Sequence, residues 1–243
     1  MDLQLDEELN MAETIEIKII ARIQNDFPTK FGVPRQSGLA EHVLSKVVFE
    51  PEYRNPDALR GIEQYSHLWL IWQFSENKQH TNWSATVRPP RLGGNTRVGV
   101  FATRSPFRPN AMGLSSVKLE KVEQDSKLGS VLWISGADLV DGTPIFDIKP
   151  YLPYVDSHPE AAGGFAEEKK EYRLSVEMSE ELQQLLPEEK RAALLEVLSQ
   201  DPRPSYHKDP ERVYGFPYAG FDVRFRVAED VLYVCDMVKV KPI

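Results

Sequence analysis

The chain has 243 residues, 41% of them apolar, and a formal charge of -8 at neutral pH. This length and apolar content allow one large domain or a domain with a smaller companion, and they exclude a chain that is disordered throughout. The acidic balance argues against nonspecific coating of nucleic acid, but it leaves room for a local basic surface.

The N-terminal segment 1–14 is polar and acidic, so we expect a frayed lead-in and no secretory signal peptide. No apolar run approaches the roughly 20 residues that span a bilayer. A soluble, cytoplasmic protein without a membrane partner is therefore predicted. The one cysteine, Cys235, excludes an intramolecular disulfide and a cysteine-based zinc cluster, and its apolar neighbours predict a buried side chain. No His/Glu cluster has the spacing of metal ligands, so no metal is expected.

The segment 15–160 is predicted to be one β domain, because short apolar runs alternate with turn signals. The predicted strands are 15–23, 46–50, 65–74, 97–103, 116–122, 130–135 and 144–152. The run 65–74 is almost wholly apolar, which predicts a central strand buried on both faces. His67 within it is expected to be a hydrogen-bonded core residue rather than a catalyst. The pattern as a whole favours an antiparallel barrel or sandwich.

The charged segment 158–170 is the predicted domain boundary, and 170–243 is predicted to be a small α+β domain. Its predicted elements are a strand at 172–177, a helix over 179–200, a loop over 201–217 and a hairpin of strands at 221–227 and 231–239. Ser179 can cap the helix, and Pro187 should divide it into two pieces. Basic side chains in the loop fit either contacts with an RNA stem or an ordinary charged surface. They are Arg203, His207, Lys208 and Arg212.

A cationic stretch, residues 78–118, contains no Asp or Glu although the whole chain is acidic. Its arginines are Arg88, Arg91, Arg97, Arg104 and Arg108. Proline and glycine give the two loops 88–95 and 104–115 a fixed backbone, which favours a shaped anion site over a solvated basic face. Arginine offers a planar fork for carboxylate or phosphate, and Asn110 can both donate and accept at a base edge.

Several familiar nucleotide and hydrolase signatures are absent. No glycine-rich phosphate fingerprint links a strand to a helix, and no Gly-x-Ser-x-Gly elbow occurs. The turn 136–144 carries two acidic side chains instead. Asp138 can accept from a ribose hydroxyl or an amino group, whereas ordinary turn chemistry accounts for Asp141.

Five motifs follow one another in an order that resembles a known family. They are VPRQ at 33–36, SHLW at 66–69, RPPRLGG at 88–94, GVFATRSPFRPN at 99–110 and DLVDGTP at 138–144. On these motifs the sequence resembles the TsaA-like, or TrmO, family of S-adenosylmethionine-dependent tRNA methyltransferases. The resemblance is dense over 15–160 and continues in DPRPSY at 201–206.

The resemblance implies a mainly β fold, a small antiparallel β-barrel that binds the cofactor, with a C-terminal α+β appendage. It implies a homodimer with its cofactor sites near the subunit interface. It further implies methylation of N6 in the threonylcarbamoyl-modified adenosine at tRNA position 37, next to the anticodon. The positions that it implies for S-adenosylmethionine binding are Pro34, Arg35, Gln36, Ser75, Glu76, Arg104, Leu114, Ser135, Gly136, Ala137 and Asp138.

Other side chains are candidates for the RNA and for the chemistry. The substrate-binding candidates are Arg88, Arg91, Arg108, Asn110, Lys149 and Tyr151. Arg108 is a natural partner for the threonyl carboxylate of the modified base. Lys149 and Tyr151 fit contacts with a phosphate and a base, and they fit ordinary barrel packing equally well. Asp138 is the first candidate for the base that accepts the N6 proton.

Two other functions stay open from the sequence. One is a non-catalytic RNA-binding barrel that recognises the modified anticodon loop through basic and aromatic side chains. The other is an enzyme with the same pocket that acts on a small nucleotide.

Overall fold

The fold is that of a computed structural model, in which residues 13–76, 83–89, 92, 95–169, 172–204 and 209–240 are described. The predictions for Arg91, His207 and Lys208 concern residues outside these ranges.

The strands are β1 (Ala21–Gln24), β2 (Leu44–Phe49), β3 (His67–Gln73), β4 (Thr86–Val87), β5 (Val98–Gly99), β6 (Met112–Asp125), β7 (Gly129–Ser135), β8 (Pro144–Pro150), β9 (Ser175–Glu177), β10 (Tyr214–Tyr218), β11 (Phe221–Ala228) and β12 (Val231–Lys239). The α-helices are α1 (Pro153–Asp156), α2 (Glu180–Gln183) and α3 (Glu188–Ser199). The prediction of a mainly β chain with few helices is confirmed.

The first sheet closes on itself. Its hydrogen-bonded order is β1-β2-β7-β6-β3-β8, and β8 pairs with β1 to complete a barrel. Each neighbouring pair in it is antiparallel. Leu68, Leu70 and Trp72 of β3 point inward and are buried together with Leu132 and Ile134 of β7. Successive side chains of a strand point to opposite faces, so the alternate residues lie on the outside of the barrel.

Strand β3 corrects two expectations. Its inward residues are buried and those between them are only partly buried, so the strand is not buried on both faces. His67 at its start is exposed, and its Nδ1 lies 3.0 Å from Ser66 Oγ. The predicted core position of His67 is therefore wrong, because the outer face of this barrel is not covered by a second layer at that point.

The predicted strand at 97–103 is mostly a turn. Only Val98–Gly99 is extended, paired with Thr86–Val87, and a 3-10 turn follows over Val100–Ala102. The run is apolar, but only Val100 of this turn is buried, while Phe101 is 73% exposed. Apolar composition alone could not reveal that the chain bends here.

The C-terminal elements form a second sheet with the order β10-β11-β12-β9. Pro187 lies between α2 and α3, so the predicted division of the helix is confirmed. Strand β10 overlaps the predicted loop 201–217, because Gly215 and Pro217 are residues that usually interrupt strands. It is an edge strand, where the missing N–H of a proline is tolerated.

The loop between β1 and β2 packs into the hydrophobic core of the C-terminal sheet. Phe27, Ala40 and Val43 are buried in the same cluster as the residues of the C-terminal sheet and of α3. Gly32 has a φ of 96°, and a Cβ there would lie 2.2 Å from Phe216 Cδ2, so only glycine fits. The loop that carries the predicted cofactor residues 34–36 is therefore packed against the C-terminal domain.

Cys235 is exposed, and its predicted burial is wrong. Val234 and Met237 of β12 are buried in the core of the C-terminal sheet, whereas Cys235 and Asp236 are both exposed. Cys235 lies at a register shift, since β11 pairs with Val234 and then with Asp236, and such an extra residue interrupts the alternation of buried and exposed side chains. Within the described ranges, no helix combines the length and apolarity needed to cross a bilayer.

Candidate functional site

Three of the segments singled out from the sequence meet at one end of the barrel. The backbone N–H of Gly38 donates to the carbonyl of Gly136 at 2.9 Å, joining the first loop to the turn after β7. Arg104 Nη1 donates to Gln36 Oε1 at 2.6 Å, joining the central loop to the first loop. The structure thus brings Gln36, Arg104 and Gly136 into one neighbourhood.

The turn after β7 depends on a glycine. Gly136 has a φ of 75°, and a Cβ there would lie 3.4 Å from the backbone of Gly38. Its neighbours use their side chains elsewhere: Ser135 Oγ donates to Glu120 Oε1 at 2.7 Å, and Ala137 is buried in the barrel core. The Gly136 N–H donates to the Val43 carbonyl at 3.1 Å, so both backbone groups of Gly136 take part in the fold, and contacts of these three positions with the cofactor stay a prediction.

Asp138 ends this turn and is held by the barrel interior. The Ser115 hydroxyl donates to Asp138 Oδ1 at 2.5 Å, and Trp72 Nε1 donates to Ser115 Oγ at 2.9 Å. Burial raises the pKa of the Asp138 carboxyl, while hydrogen bonds from Ser115 and from the backbone N–H of Ser37 and the charge of Arg104 act in the opposite direction. The residue as a whole keeps some exposed surface, while its carboxyl group lies deep.

Pro34 is buried, whereas the side chain of Arg35 reaches the other domain. Arg35 Nη2 donates to the carbonyls of Asp201 and Arg203, at 2.7 and 3.0 Å. Both carbonyls belong to the DPRPSY motif, so this motif of the tail accepts hydrogen bonds from the arginine of the VPRQ motif. A contact between Arg35 and the cofactor stays a prediction.

Ser75 and Glu76 are exposed and follow β3 after Phe74. The backbone N–H of Phe74 donates to the carbonyl of Ala111 at 3.0 Å, so the end of β3 lies beside the end of the central loop. Leu114 is 56% exposed and is in register with Ile71 on the outer face of the barrel. The following residue, Ser115, points inward and contacts Asp138. The Leu114 side chain therefore lies on the outer side of β6, whereas Asp138 lies on its inner side.

The central loop is braced from within. Arg108 Nη1 donates to the carbonyls of Thr103 and Ser105, at 3.0 and 3.4 Å. Asn110 and Arg88 are exposed. Among the predicted substrate residues, Arg108 is thus also a structural part of the loop that would present it.

Lys149 and Tyr151 lie at the far end of β3 from Ser75. Lys149 is in register with Trp69 and forms an ion pair with Asp147 at 2.8 Å. The ring centroid of Tyr151 lies 5.5 Å from that of Trp69. Trp69 and Lys149 lie on the outer face of the barrel, whereas Leu70 and Ser115 face its interior, where Ser115 contacts Asp138, so the described contacts do not bring Lys149 and Tyr151 together with the Asp138 group.

Two residues of this neighbourhood were missed. Trp72 lies inside the predicted strand 65–74 and Ser115 at the end of the predicted loop 104–115, where nothing marks either as a partner of Asp138. Gly113 gave no usable signal, because it lies in the same predicted loop, whereas the structure places it inside β6, where a glycine often marks a close approach. A Cβ at Gly113 would lie 2.3 Å from Trp72 Cε2. Across the described part of the chain, no group of three or more His, Cys, Asp or Glu side chains is placed to hold a metal ion.

Comparisons with known proteins cover nearly the whole chain. The family model for the tRNA-methyltransferase O N-terminal domain matches residues 22–157, and that for the TrmO C-terminal domain matches residues 171–240. A tRNA (adenine(37)-N6)-methyltransferase of Escherichia coli is 43% identical over 229 residues, which are 89% of this chain and 94% of the relative. A protein of the same name from Eikenella corrodens is 45% identical over 171 residues, which are 70% of this chain and 95% of the relative.

A solved structure agrees with these relatives. The crystal structure of TrmO from Pseudomonas aeruginosa superposes with a TM-score of 0.74 at 34% identity, covering 93% of this chain and all of that one. Further relatives are named for dependence on S-adenosylmethionine or for binding it.

Proposed function

We infer that this chain, which belongs to the tRNA-methyltransferase O family, is an enzyme that methylates N6 of adenosine 37 in tRNA, with S-adenosylmethionine as the methyl donor. The observation that assigns this function to particular residues is that Gln36, Arg104 and Asp138 lie close together at one end of the closed sheet. We take that sheet as the small cofactor-binding barrel, and its rim as the place of methyl transfer.

The residues at this rim suit the cofactor chemically. A carboxylate offers about four acceptor positions, so Asp138 can accept from Ser115 and still receive a ribose hydroxyl. Arg104 is exposed and can meet the methionine carboxylate. Backbone groups around Gly136 can read the adenine. When bound, S-adenosylmethionine supplies an electrophilic methyl group.

The chain's own residues have two tasks in this reaction. They must hold the N6 nitrogen in line with the methyl group, since the lone pair of that nitrogen is delocalised and it is a poor nucleophile. They must also let the N6 proton leave. Asp138 is our candidate to accept this proton, because its carboxyl lies in a partly desolvated place where burial raises the pKa.

We propose that the adenosine carries a threonylcarbamoyl group before it is methylated. The cationic stretch supports this, because its exposed arginines and Asn110 can receive a carboxylate as well as RNA phosphates. Such a substrate favours the cytoplasm as the place of action. Arg88 and Arg91 are the proposed phosphate contacts, with Lys149 and Tyr151 further along the same RNA.

We propose that the enzyme works as a homodimer. Large apolar side chains around the central loop are exposed, namely Trp83, Phe101, Phe107 and Leu114. Leu114 lies on the outer face of the barrel, away from Asp138, so it would reach a cofactor most readily across a subunit boundary. Burial of this surface would stabilise a pair of chains through the hydrophobic effect.

The test is methyl transfer from labelled S-adenosylmethionine to two tRNA pools, one with threonylcarbamoyl-adenosine and one from cells unable to make it. We expect label in the modified pool alone. Arg104→Ala should abolish the label. Arg60→Ala is the matched control, because Arg60 is an exposed arginine paired with Asp57 in a distant turn, and it should keep wild-type activity.

Other outcomes are equally informative. Equal label in both pools would remove the threonylcarbamoyl requirement and keep the methyltransferase. Binding of tRNA without label in either pool would favour a non-catalytic RNA-binding barrel. Turnover of a small nucleotide that is indifferent to Arg88→Ala and Arg91→Ala would favour the small-nucleotide enzyme.

A further inference from the structure

A chain of three polar groups runs through the barrel interior to the candidate site. Trp72 Nε1 donates to Ser115 Oγ at 2.9 Å, and the Ser115 hydroxyl donates to Asp138 Oδ1 at 2.5 Å. Ser115 is 1% exposed and Trp72 is 6% exposed, so water has little access to either group.

The direction of this chain follows from its chemistry. An indole N–H can only donate, so the Ser115 oxygen must act as its acceptor. A serine hydroxyl has one hydrogen, which is then left for the Asp138 carboxylate. The Trp72 ring is itself fixed, since it packs against Gly113 and lies 4.4 Å from the ring of Phe74.

We propose that Ser115 is a positioning residue for methyl transfer, which, oriented by Trp72, holds the Asp138 carboxylate in one orientation and leaves its remaining acceptor position for a bound ligand. This inference rests on the proposed function. It assigns to a buried serine of the barrel wall a role that neither the motifs nor the exposed loops indicated.

The acceptor capacity of the carboxylate supports the proposal. The Ser115 hydroxyl donates to Asp138 Oδ1, and the backbone N–H groups of Asp138 and Ser37 act on the same carboxyl, since they lower its pKa. A carboxylate has about four acceptor positions, so it can receive a further donor beside these groups. A ribose hydroxyl or the N6–H of adenosine is the kind of donor that would fill it.

The same hydroxyl also opposes the effect of burial. Burial raises the pKa of Asp138, and the hydrogen bond from Ser115 lowers it. Without Ser115 the carboxyl would bind a proton at higher pH, and the protonated form offers fewer acceptor positions. Loss of Ser115 should therefore appear in the reaction as a change in the titration of Asp138.

The chain offers a matched control for Ser115. Ser45 is also a barrel serine that is 1% exposed, but its hydroxyl has no hydrogen-bond partner among the described residues. Ser115→Ala should lower kcat/KM by about tenfold or more, the effect of one lost hydrogen bond to a charged group, and should shift the acid limb of the pH profile to higher pH. Ser45→Ala should match the wild type in both.

Trp72→Phe is a second variant that keeps an aromatic ring in the barrel and removes the indole N–H. It frees the Ser115 hydroxyl to rotate, so we expect a smaller loss in the same direction. In the double variant Ser115→Ala/Asp138→Asn, the serine change should add nothing to the loss from Asp138→Asn, because Ser115 acts through Asp138.

A spectroscopic readout tests the coupling without turnover. The indole N–H resonance of Trp72, identified by its absence in Trp72→Phe, should shift as Asp138 titrates in the wild type and should stop shifting in Asp138→Asn and in Ser115→Ala. If no tRNA is methylated by the wild type, the proposed function fails while this titration still tests Ser115. A pH profile and kinetics of Ser115→Ala equal to those of Ser45→Ala, or additive losses in the double variant, would overturn the proposal.

Discussion

At the scale of single residues, the candidate site consists of a few polar side chains within the apolar interior of the barrel. Trp72 and Ser115 are buried among the core side chains and are both hydrogen-bonded, whereas the buried hydroxyl of Ser45 has no partner among the described residues. Buried polar groups are costly unless they are paired. The Ser115 hydroxyl both accepts from Trp72 and donates to Asp138, which is the pattern expected of a site that must hold one geometry.

Gly113→Ala should destabilise the barrel because the new Cβ would lie 2.3 Å from Trp72 Cε2. The indole would have to move, breaking its hydrogen bond to Ser115. Overpacking of this kind costs about 1–3 kcal/mol, measured as the free energy of unfolding in urea. Gly99→Ala is the control, since a Cβ there meets nothing within 4 Å and Gly99 has a φ of -59°. Equal stability of the two variants would contradict the packing argument.

Asp138→Asn should show a pH-dependent effect on stability. Burial raises the pKa of Asp138 in the folded chain above its ordinary value of 3.8. The native carboxyl therefore contributes stability below that value and loses this contribution as the pH rises through the raised pKa. An asparagine does not titrate, so the stability of the variant relative to the wild type should increase from pH 4 towards pH 7.

Asp156 supplies a control of opposite sign. The backbone N–H of Leu152 and the indole N–H of Trp69 lower the pKa of Asp156. Its contribution is present above the ordinary value and is lost as the pH falls through the lowered pKa. Asp156→Asn should thus become relatively less stable as the pH rises from about 2 to about 5, and the difference should then stay constant to pH 7. The same trend in both variants would show that the assigned shifts are wrong.

At the scale of elements, the central loop owes its shape to its own arginine. Arg108 spans the loop to the carbonyls of Thr103 and Ser105, and the hydroxyl of Thr103 donates to the carbonyl of Val100 at 2.8 Å. The loop is therefore folded before any ligand arrives. A preformed loop lowers the entropy cost of binding.

Arg108→Ala should loosen this loop without unfolding the domain. Loss of its hydrogen bonds should cost about 1–3 kcal/mol locally, which hydrogen–deuterium exchange would detect as faster exchange over residues 103–110. Arg88→Ala changes an equally charged side chain of the preceding loop and should leave that exchange unchanged. Unaltered exchange in Arg108→Ala would assign Arg108 to the substrate alone.

At the scale of the whole molecule, the C-terminal domain supports the first cofactor loop. Phe27, Ala40 and Val43 share its core, and Arg35 donates to carbonyls of its tail segment. His42 Nδ1 lies 2.6 Å from Glu196 Oε1 in α3, which raises the pKa of His42. The appendage is therefore part of the site's scaffold, whatever further role it has with RNA.

Arg203→Ala should weaken S-adenosylmethionine binding from outside the pocket. Arg203 holds Asp201 through two hydrogen bonds, at 2.8 and 2.9 Å, in a pair that is largely buried. Loss of the pair should loosen the carbonyls that receive Arg35, at a cost of about 1–3 kcal/mol in stability. Calorimetric titration with the cofactor would show the weaker binding.

Arg224→Ala is the matched control for this change. Arg224 pairs with Asp222 at the same sequence spacing, but that pair is solvent-exposed. An exposed pair contributes about 0–1 kcal/mol, and it touches no part of the first loop. If both variants bind the cofactor like the wild type, the tail segment does not support Arg35.

The sequence by itself determined the mainly β architecture, the division of the helix at Pro187 and the family, because these depend on local periodicity, on proline geometry and on short contiguous motifs. It also indicated Gln36, Arg104 and Asp138, whose meeting at one rim the structure shows. Only the tertiary structure decided that His67 and Cys235 are exposed, that β10 is an edge strand, and that Arg35 reaches the C-terminal tail. It alone revealed Trp72 and Ser115 as partners of Asp138. The physical reason is common to all of these: burial, edge position and hydrogen-bond partners depend on which segments of a chain meet, and residues far apart in sequence carry no local signal of that meeting.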